Sequence, residues 1–206
     1  QEPRISVKDC PFCHLETQEK PIIVRPNTIL IPNKYPAFLP EPPKKETIEG
    51  GLYQKMNAVG FHELVVTRDH RKSLALLSVN QIKEVLTVYQ ERYLQLMKND
   101  FVSYVSIFHN HGPEAGASQP HPHSQIIAIP LIDPDLKGSI NGSRLFFENQ
   151  GECVHCKMIE WDMEDKKRII FANKDFVALV PFASRAAFEV RIYPKEHHPY
   201  FERIKD

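Results

Sequence analysis

The chain of 206 residues has no net charge to speak of: 26 Lys and Arg balance 26 Asp and Glu. A protein that grips a phosphodiester backbone or an anionic membrane surface carries an excess of basic side chains, so neither nucleic acid nor membrane is expected as a partner. Long apolar runs are also missing. No stretch approaches the ~20 residues that cross a bilayer, and the opening QEPRISVKDC lacks the apolar centre of a secretory signal. A soluble, cytoplasmic protein is expected. Cysteine is scarce, and without a secretory signal its use in disulfides is disfavoured. Hydrophobic content of 42% and charged content of 25% suffice for a globular core.

What the chain does contain is 10 His, 17 Pro and four Cys in two pairs of one form. Cys10 and Cys13 stand in CPFC, Cys153 and Cys156 in CVHC. A thioredoxin-like redox pair opens a helix after a strand, whereas CPFC runs into HLETQEKPIIV and breaks at Pro21. Zinc thiolates fit better, and each pair then needs two further ligands.

Short strands are predicted at Ile22–Val24, Ile29–Ile31, Phe61–Thr67, Val102–His109 and Ile126–Ile129. The Pro-rich stretch Phe38–Gly51 reads as a mobile loop, and DPDLKGSINGS (residues 133–143) as a second loop. Between them Ser78 and Gln81 form a capping box. Ile82, Val85, Leu86, Tyr89, Tyr93, Leu96 and Met97 follow at helical spacing, predicting an amphipathic helix of about five turns over Ser78–Met97. The fold class is α+β: a mostly antiparallel sheet with one long helix, followed by a partial second repeat.

The repeat shows in the order of features. After the first Cys pair come IIVRPNTILIPNKYPA and HELVVTRDH; after the second come IIFANKDFVALVPFAS and FEVRIYPKEH. Both sequences run Cys pair, strand, Asn-containing turn, strand, and later a strand that leads to His70 or His197. Two units are expected, 1–144 and 145–206. The second copy reaches Asp206 where the first would begin its long helix, so it has no counterpart of that helix or of the HPH strand.

Candidate ligands in the first unit are Cys10, Cys13, His70 and a histidine of SQPHPHSQ; in the second they are Cys153, Cys156 and His197, with His155 and His198 nearby. If Gln119–Gln125 is extended, His121, His123 and Gln125 project on one side at steps of about 6.6 Å. Both histidines could then share a metal, or one could complete the site while the other stands free. The preceding HNHGPEAGAS has Gly112 and Gly116, small residues, and Ser118, whose hydroxyl and neighbouring backbone N–H groups could wrap a phosphate. A histidine and a glutamine facing such a loop suggest attack on phosphorus by a neutral imidazole.

FHNHGPEAGASQPHPHSQ (residues 108–125) resembles the active-site segment of galactose-1-phosphate uridylyltransferases, a branch of the histidine-triad superfamily. CPFC and VVTRDHRKSLALLS resemble that family's zinc knuckle and its distal histidine. CVHC with VPFASRAAFEVRIYPKEH is similar to its second half, most closely in a plant-type branch with two zinc sites that acts on ADP-glucose. The resemblance runs from Cys10 to about His198.

It implies a nucleotidyltransferase that moves a nucleoside monophosphate from a nucleotide sugar to a sugar 1-phosphate. His123 would be the nucleophile and Gln125 the holder of the phosphoryl oxygens. Asn110, Gly116, Ala117 and Ser118 would line the nucleotide phosphates. His121 would be the fourth ligand of a structural zinc with Cys10, Cys13 and His70. Cys153, Cys156 and His197 would hold a second zinc, and the assembly would be a homodimer. Relatives also carry an Arg-containing segment before the first Cys pair, where nine residues precede Cys10 here, a C-terminal histidine-rich strand, and in some members an acidic iron ligand without clear equivalent after Pro130. Nucleotidylyl chemistry is thus expected to carry over more directly than the identity of base and sugar. Two other functions fit the same residues: a hydrolase or phosphorylase of nucleotide sugars or dinucleoside polyphosphates, and a zinc-stabilised nucleotide-binding module.

Overall fold

The computed structural model describes residues 5–15, 20–40, 47–49 and 52–204. The chain divides into two compact units, Gln1–Ile132 and Asp133–Asp206.

The first unit is a five-stranded antiparallel sheet in the order β1-β2-β5-β7-β6. Its strands are β1 Ile23–Val24, β2 Thr28–Pro32, β5 Phe61–Thr67, β6 Tyr104–Phe108 and β7 His123–Ile129. β5 is central, pairing with β2 on one side and β7 on the other. Five consecutive residues of β5, Glu63–Thr67, are buried, because both faces of the sheet are covered here. One face carries helix α1, Val79–Leu96, whose Val85, Val88, Tyr89 and Leu96 pack on Leu30, Val65, Ile126 and Ala128. The other face carries Leu15 and Phe12 from the Cys-pair turn, against Ile29, Ile31, Leu64 and Val66. Alternation along the strands therefore sorts Val65 to the helix and Leu64 and Val66 to the knuckle. Burying one such aliphatic side chain stabilises by ~1.5–3 kcal/mol.

Helix α1 matches its expectation. The Ser78 side chain accepts from the Gln81 N–H while the Gln81 side chain accepts from the Ser78 N–H, and Met97 caps the other end. Arg92 reaches down from the helix to the buried Glu63 with two bonds of 2.7 and 2.5 Å. At the β1–β2 turn, both the backbone and side-chain nitrogens of Asn27 donate to Glu84 of the helix.

Two loop expectations change. Within Phe38–Gly51, β3 (Thr47–Glu49) pairs with β4 (Tyr53–Lys55); residues 41–46, 50 and 51, and the mobility expected of them, lie outside the described residues. The stretch 133–143 is not a loop but the start of helix α2, Pro134–Gln150. Asp133 caps it by accepting from the Leu136 N–H, Pro134 takes the first position, and Gly151 ends it in the left-handed conformation. Gly138 and Gly142 cost ~1 kcal/mol each in a helix interior but do not break one framed by both end signals. Residues 144 and 145, where the expected units meet, lie inside this helix, and the second compact unit runs from Asp133.

The second unit continues with α3, Val154–Asp165, and a sheet of order β10-β9-β8, with β8 Ile169–Ala172, β9 Phe176–Leu179 and β10 Arg191–Pro194. Its three antiparallel strands repeat the arrangement of β1, β2 and β5, with the middle strand flanked by the first and the third. Asp162 of α3 is buried and paired with Arg168. Among the described residues no helix is long and apolar enough to cross a membrane.

Candidate active site and metal centres

His123 and Gln125 project from the sheet face that carries Phe12. His123 is opposite Val66 and Gln125 opposite Leu64, and paired residues share a face. The ring of Phe12 meets His123 edge-on at 5.0 Å and His121 at 5.8 Å between centroids. β7 begins at His123, so strict alternation starts there, with Ser124, Ile126 and Ala128 turned to the core.

His121 is 1% exposed and its ring turns to the Cys pair. Its Nδ1 lies 3.4 Å from Cys10 Sγ, 3.6 Å from Cys13 Sγ and 3.2 Å from His70 Nδ1, while His70 Nδ1 is 3.2 Å from Cys13 Sγ. The outer nitrogens settle the tautomers. His121 Nε2 is 2.6 Å from the Thr67 carbonyl and His70 Nε2 is 2.9 Å from the Ile5 carbonyl. A carbonyl only accepts, so each Nε2 carries the proton and each Nδ1 presents a lone pair. Two lone pairs and two sulfurs aimed at one point are mutually repulsive without a cation between them. Burial, then the neighbouring Cys10 thiol, pushes the Cys13 thiol up to about 11. A thiolate persists at such a place only beside positive charge. The four residues therefore form a group that could hold a metal ion, and all four cysteines of the chain are free of disulfides.

The second Cys pair caps and opens α3, and Cys153, Cys156 and His197 form a three-residue group of the same kind. Cys156 Sγ is 3.2 Å from His197 Nδ1, as Cys13 is from His70. His70 follows the end of β5 by three residues and His197 follows the end of β10 by three. His155 instead contacts Ser143, and His198 contacts Glu196.

The free histidine is His123. Its Nδ1 is 2.9 Å from the His121 carbonyl, so Nδ1 carries the proton and Nε2 the lone pair. The loop ahead of it is a tight turn, Pro113–Ala115, flanked by Gly112 (φ 79°) and Gly116 (φ 82°), conformations that favour glycine. The N–H groups of Ala115, Gly116 and Ala117 bond to Gly112 and Pro113 carbonyls inside the turn. Those three N–H groups are therefore engaged within the turn. The Asn110 amide and the Ser118 hydroxyl line one cleft with Ala117, Gln119 and His121.

Three features escaped sequence reasoning. His62, in FHELVVT, places Nε2 2.8 Å from Gln125 Oε1. Tyr89 of α1 donates to Ser124 Oγ at 2.5 Å, and Ser124 in turn contacts His109 Nδ1 at 3.1 Å. Burial first, then the charges of His123 and His111, lowers the pKa of His109. Phe12 was visible only as the filling of CPFC. An odd polar residue in an apolar strand was the available signal for His62.

The profile of the family described as "Galactose-1-phosphate uridyl transferase, N-terminal domain" matches residues 8–132, nearly the whole first unit. A galactose-1-phosphate uridylyltransferase of Thermotoga maritima is 36% identical over 195 residues, covering 93% of this chain and 59% of that protein. An ADP-glucose phosphorylase of Arabidopsis thaliana is 32% identical over 216 residues, covering all of this chain and 60% of that protein. Among solved structures, a uridylyltransferase superposes with a TM-score of 0.83 at 31% identity, covering 100% of this chain and 65% of that one. An Arabidopsis thaliana ADP-glucose phosphorylase with bound ADP-glucose superposes at 0.82 with 26% identity, covering 98% and 64%. The chain thus spans about three-fifths of the length of the relatives it matches.

Proposed function

The chain belongs to the galactose-1-phosphate uridylyltransferase family, and from that premise we propose that it transfers a nucleoside monophosphate from a nucleotide sugar to a sugar 1-phosphate through a covalent bond to His123. The observation that carries the reading is the tautomer of His123. Its proton is held on Nδ1 by the His121 carbonyl, which leaves the Nε2 lone pair on the half-buried face beside Gln125. Nε2 attacks the α-phosphorus; the bond from phosphorus to the bridging oxygen breaks, and the sugar 1-phosphate leaves with that electron pair. The ring is then cationic, and the Nδ1–H bond to the carbonyl strengthens with the charge. A phosphate oxygen of the incoming sugar 1-phosphate attacks the same phosphorus, and the P–N bond returns its electrons to Nε2.

In this scheme Gln125, Asn110 and Ser118 donate to the phosphoryl oxygens as charge builds on them. Gly116 and Ala117 contribute little bulk, which lets a nucleotide approach the turn. Zinc is the ion we assign to Cys10, Cys13, His70 and His121. Tetrahedral zinc with sulfur at ~2.3 Å and nitrogen at ~2.05 Å separates its ligands by about 3.5 Å (S to N) and about 3.3 Å (N to N). The observed separations run from 3.2 to 3.6 Å. With four protein ligands the ion would be structural, pinning the residue whose carbonyl orients His123. Cys153, Cys156 and His197 would hold a second zinc. A homodimer is in keeping with the apolar side chains that the second unit exposes, among them Phe171, Phe182, Phe188 and Ile192.

The likeness to an ADP-glucose phosphorylase over the whole chain supports a second reading, in which orthophosphate rather than a sugar 1-phosphate takes the nucleotidyl group. The test is incubation with UDP-glucose or ADP-glucose labelled at the α-phosphorus. An acid-labile label on the protein, absent from His123→Ala, supports the covalent step. Its discharge by galactose 1-phosphate selects the transferase, and its discharge by orthophosphate selects the phosphorylase. No label from either nucleotide sugar would sink both and leave a nucleotide-binding module.

A further inference from the structure

We infer that His62 is a positioning residue, one that fixes which end of the Gln125 side-chain amide faces the reacting phosphoryl group. The inference rests on the nucleotidyl-transfer reading above and names a residue that the reading did not need.

A glutamine amide presents nearly the same shape either way round, yet one end donates and the other accepts. Only the donating end stabilises a phosphoryl oxygen; the carbonyl end repels it. Something other than shape must choose, and His62 is placed to do so. It lies half-buried on β5, on the face of His123 and Gln125, one step along from Leu64, the register partner of Gln125.

The choice originates in backbone groups that cannot reverse. The Ala37 N–H points at His62 Nδ1 at 3.1 Å. A backbone N–H only donates, so Nδ1 bears the lone pair and the ring proton sits on Nε2. Nε2–H then donates to Gln125 Oε1 at 2.8 Å. Asn33 braces the imidazole: its amide nitrogen lies 3.1 and 3.5 Å from the two ring nitrogens, against the ring rather than on one lone pair. Asn33 is itself oriented, because its Oδ1 accepts from the Tyr35 N–H at 3.0 Å. With Oε1 committed to His62, both N–H bonds of the Gln125 amide remain for an anion. The opposite tautomer of His62 would release Gln125 and allow the amide to turn.

The two conservative substitutions separate this role from simple packing. A glutamine at 62 reaches the position of Nε2 with a donor, so His62→Gln keeps the bond to Gln125. An asparagine reaches only the position of Nδ1, so His62→Asn keeps the acceptor for Ala37 and leaves Gln125 unpaired. The measurement is the single-turnover rate at which the zinc-loaded 206-residue chain takes label from saturating α-labelled UDP-glucose or ADP-glucose. His62→Gln is expected within about 3-fold of the unaltered chain and His62→Asn about 10- to 100-fold slower, as for loss of one oriented donor in a transition state. In a Gln125→Ala background the His62→Asn change should cost less than about 2-fold, because its effect passes through Gln125. Equal rates for the Gln and Asn variants, or an undiminished cost in that background, would overturn the inference. A long-range proton–nitrogen spectrum of the unaltered chain is an independent arm. Protonated Nε2 on His62 is expected, and protonated Nδ1 overturns the inference even where labelling succeeds. Should the unaltered chain take no label, the transfer reading falls while the tautomer still decides the role of His62.

Discussion

The backbone carbonyl of His121 accepts the Nδ1 proton of His123 at 2.9 Å, while the side chain of the same His121 faces two cysteines and His70. One residue thus turns its ring to the metal group and its carbonyl to the proposed nucleophile. Disturbing the first disturbs the second, through two residues of chain and no intervening side chain. Cys10→Ser should therefore lower the labelling of His123 as well as metal content. Labelling that survives full loss of the first metal would show that the strand holds its aim without it.

The two metal groups should differ in how they give up an ion. Cys10 and His121 are buried and their group has four candidate ligands, whereas among the described residues the second group has three and His197 is exposed. Graded addition of a chelator is expected to remove about one equivalent from the Cys153 group early and the other late, with the melting temperature falling mainly in the late step. Metal analysis of Cys153→Ser, set beside Cys10→Ser, assigns the steps. Simultaneous release from both groups would contradict the assignment.

Glu63 is 3% exposed under helix α1, and its partner is Arg92. Arg92→Ala leaves a buried carboxylate without its cation and should cost ~3–5 kcal/mol in a denaturant titration. The double change Glu63→Met with Arg92→Met should cost far less, since neither charge is then stranded. A double variant as unstable as the single one would place the role of the pair elsewhere.

His109 gives a pH dependence with a definite sign. Burial, foremost, lowers its pKa below the ordinary 6.5, so the unfolded chain takes up the proton first. Its contribution to stability is whole above about 6.5 and is lost as pH falls from there through the lowered value. Urea titrations from pH 8 down to about 5 should show falling stability, with part of the slope removed in His109→Gln. An unchanged slope would assign the dependence to other groups, of which buried His121, also lowered by burial, is the first.

Two glycines should respond to alanine in opposite directions. At Gly60 (φ +156°) a Cβ would lie 2.4 Å from the Ala128 carbonyl oxygen and 2.9 Å from Ile129 Cγ2. Gly60→Ala should destabilise by roughly 1–3 kcal/mol, because backbone of a paired strand must move. At Gly138, inside helix α2, a Cβ meets nothing within 4 Å. Gly138→Ala should stabilise by ~0.5–1 kcal/mol, which thermal melting of the two variants would measure.

Local rules made much of this molecule legible from its residues. Helix α1 announced itself because its cap, its period and its stop coincide within one segment, Ser78 to Met97. The equal spacing of the Cys pairs and the HPH segment marked the Cys and His groups that could hold a metal before any distance was known. Helix α2 was missed although Asp133 and Pro134 mark its start and Gly151 its end, because residues 133–143 are rich in the Gly, Ser, Asn, Asp and Pro that also build loops.

What only the tertiary structure decided lies between residues far apart in the chain. Spacing could not say that the turn at Pro113–Ala115 consumes its own amides, since that depends on φ at Gly112 and Gly116. Nor could it place His62 against Gln125, 63 residues away, because the register of β5 on β7 is set by both covered faces of the sheet. The kinds of chemistry available were written in residue types and their intervals. Which nitrogen holds each proton was settled by backbone groups of Ile5, Ala37, Thr67 and His121, carbonyls and N–H groups that have no freedom to be anything but acceptors and donors.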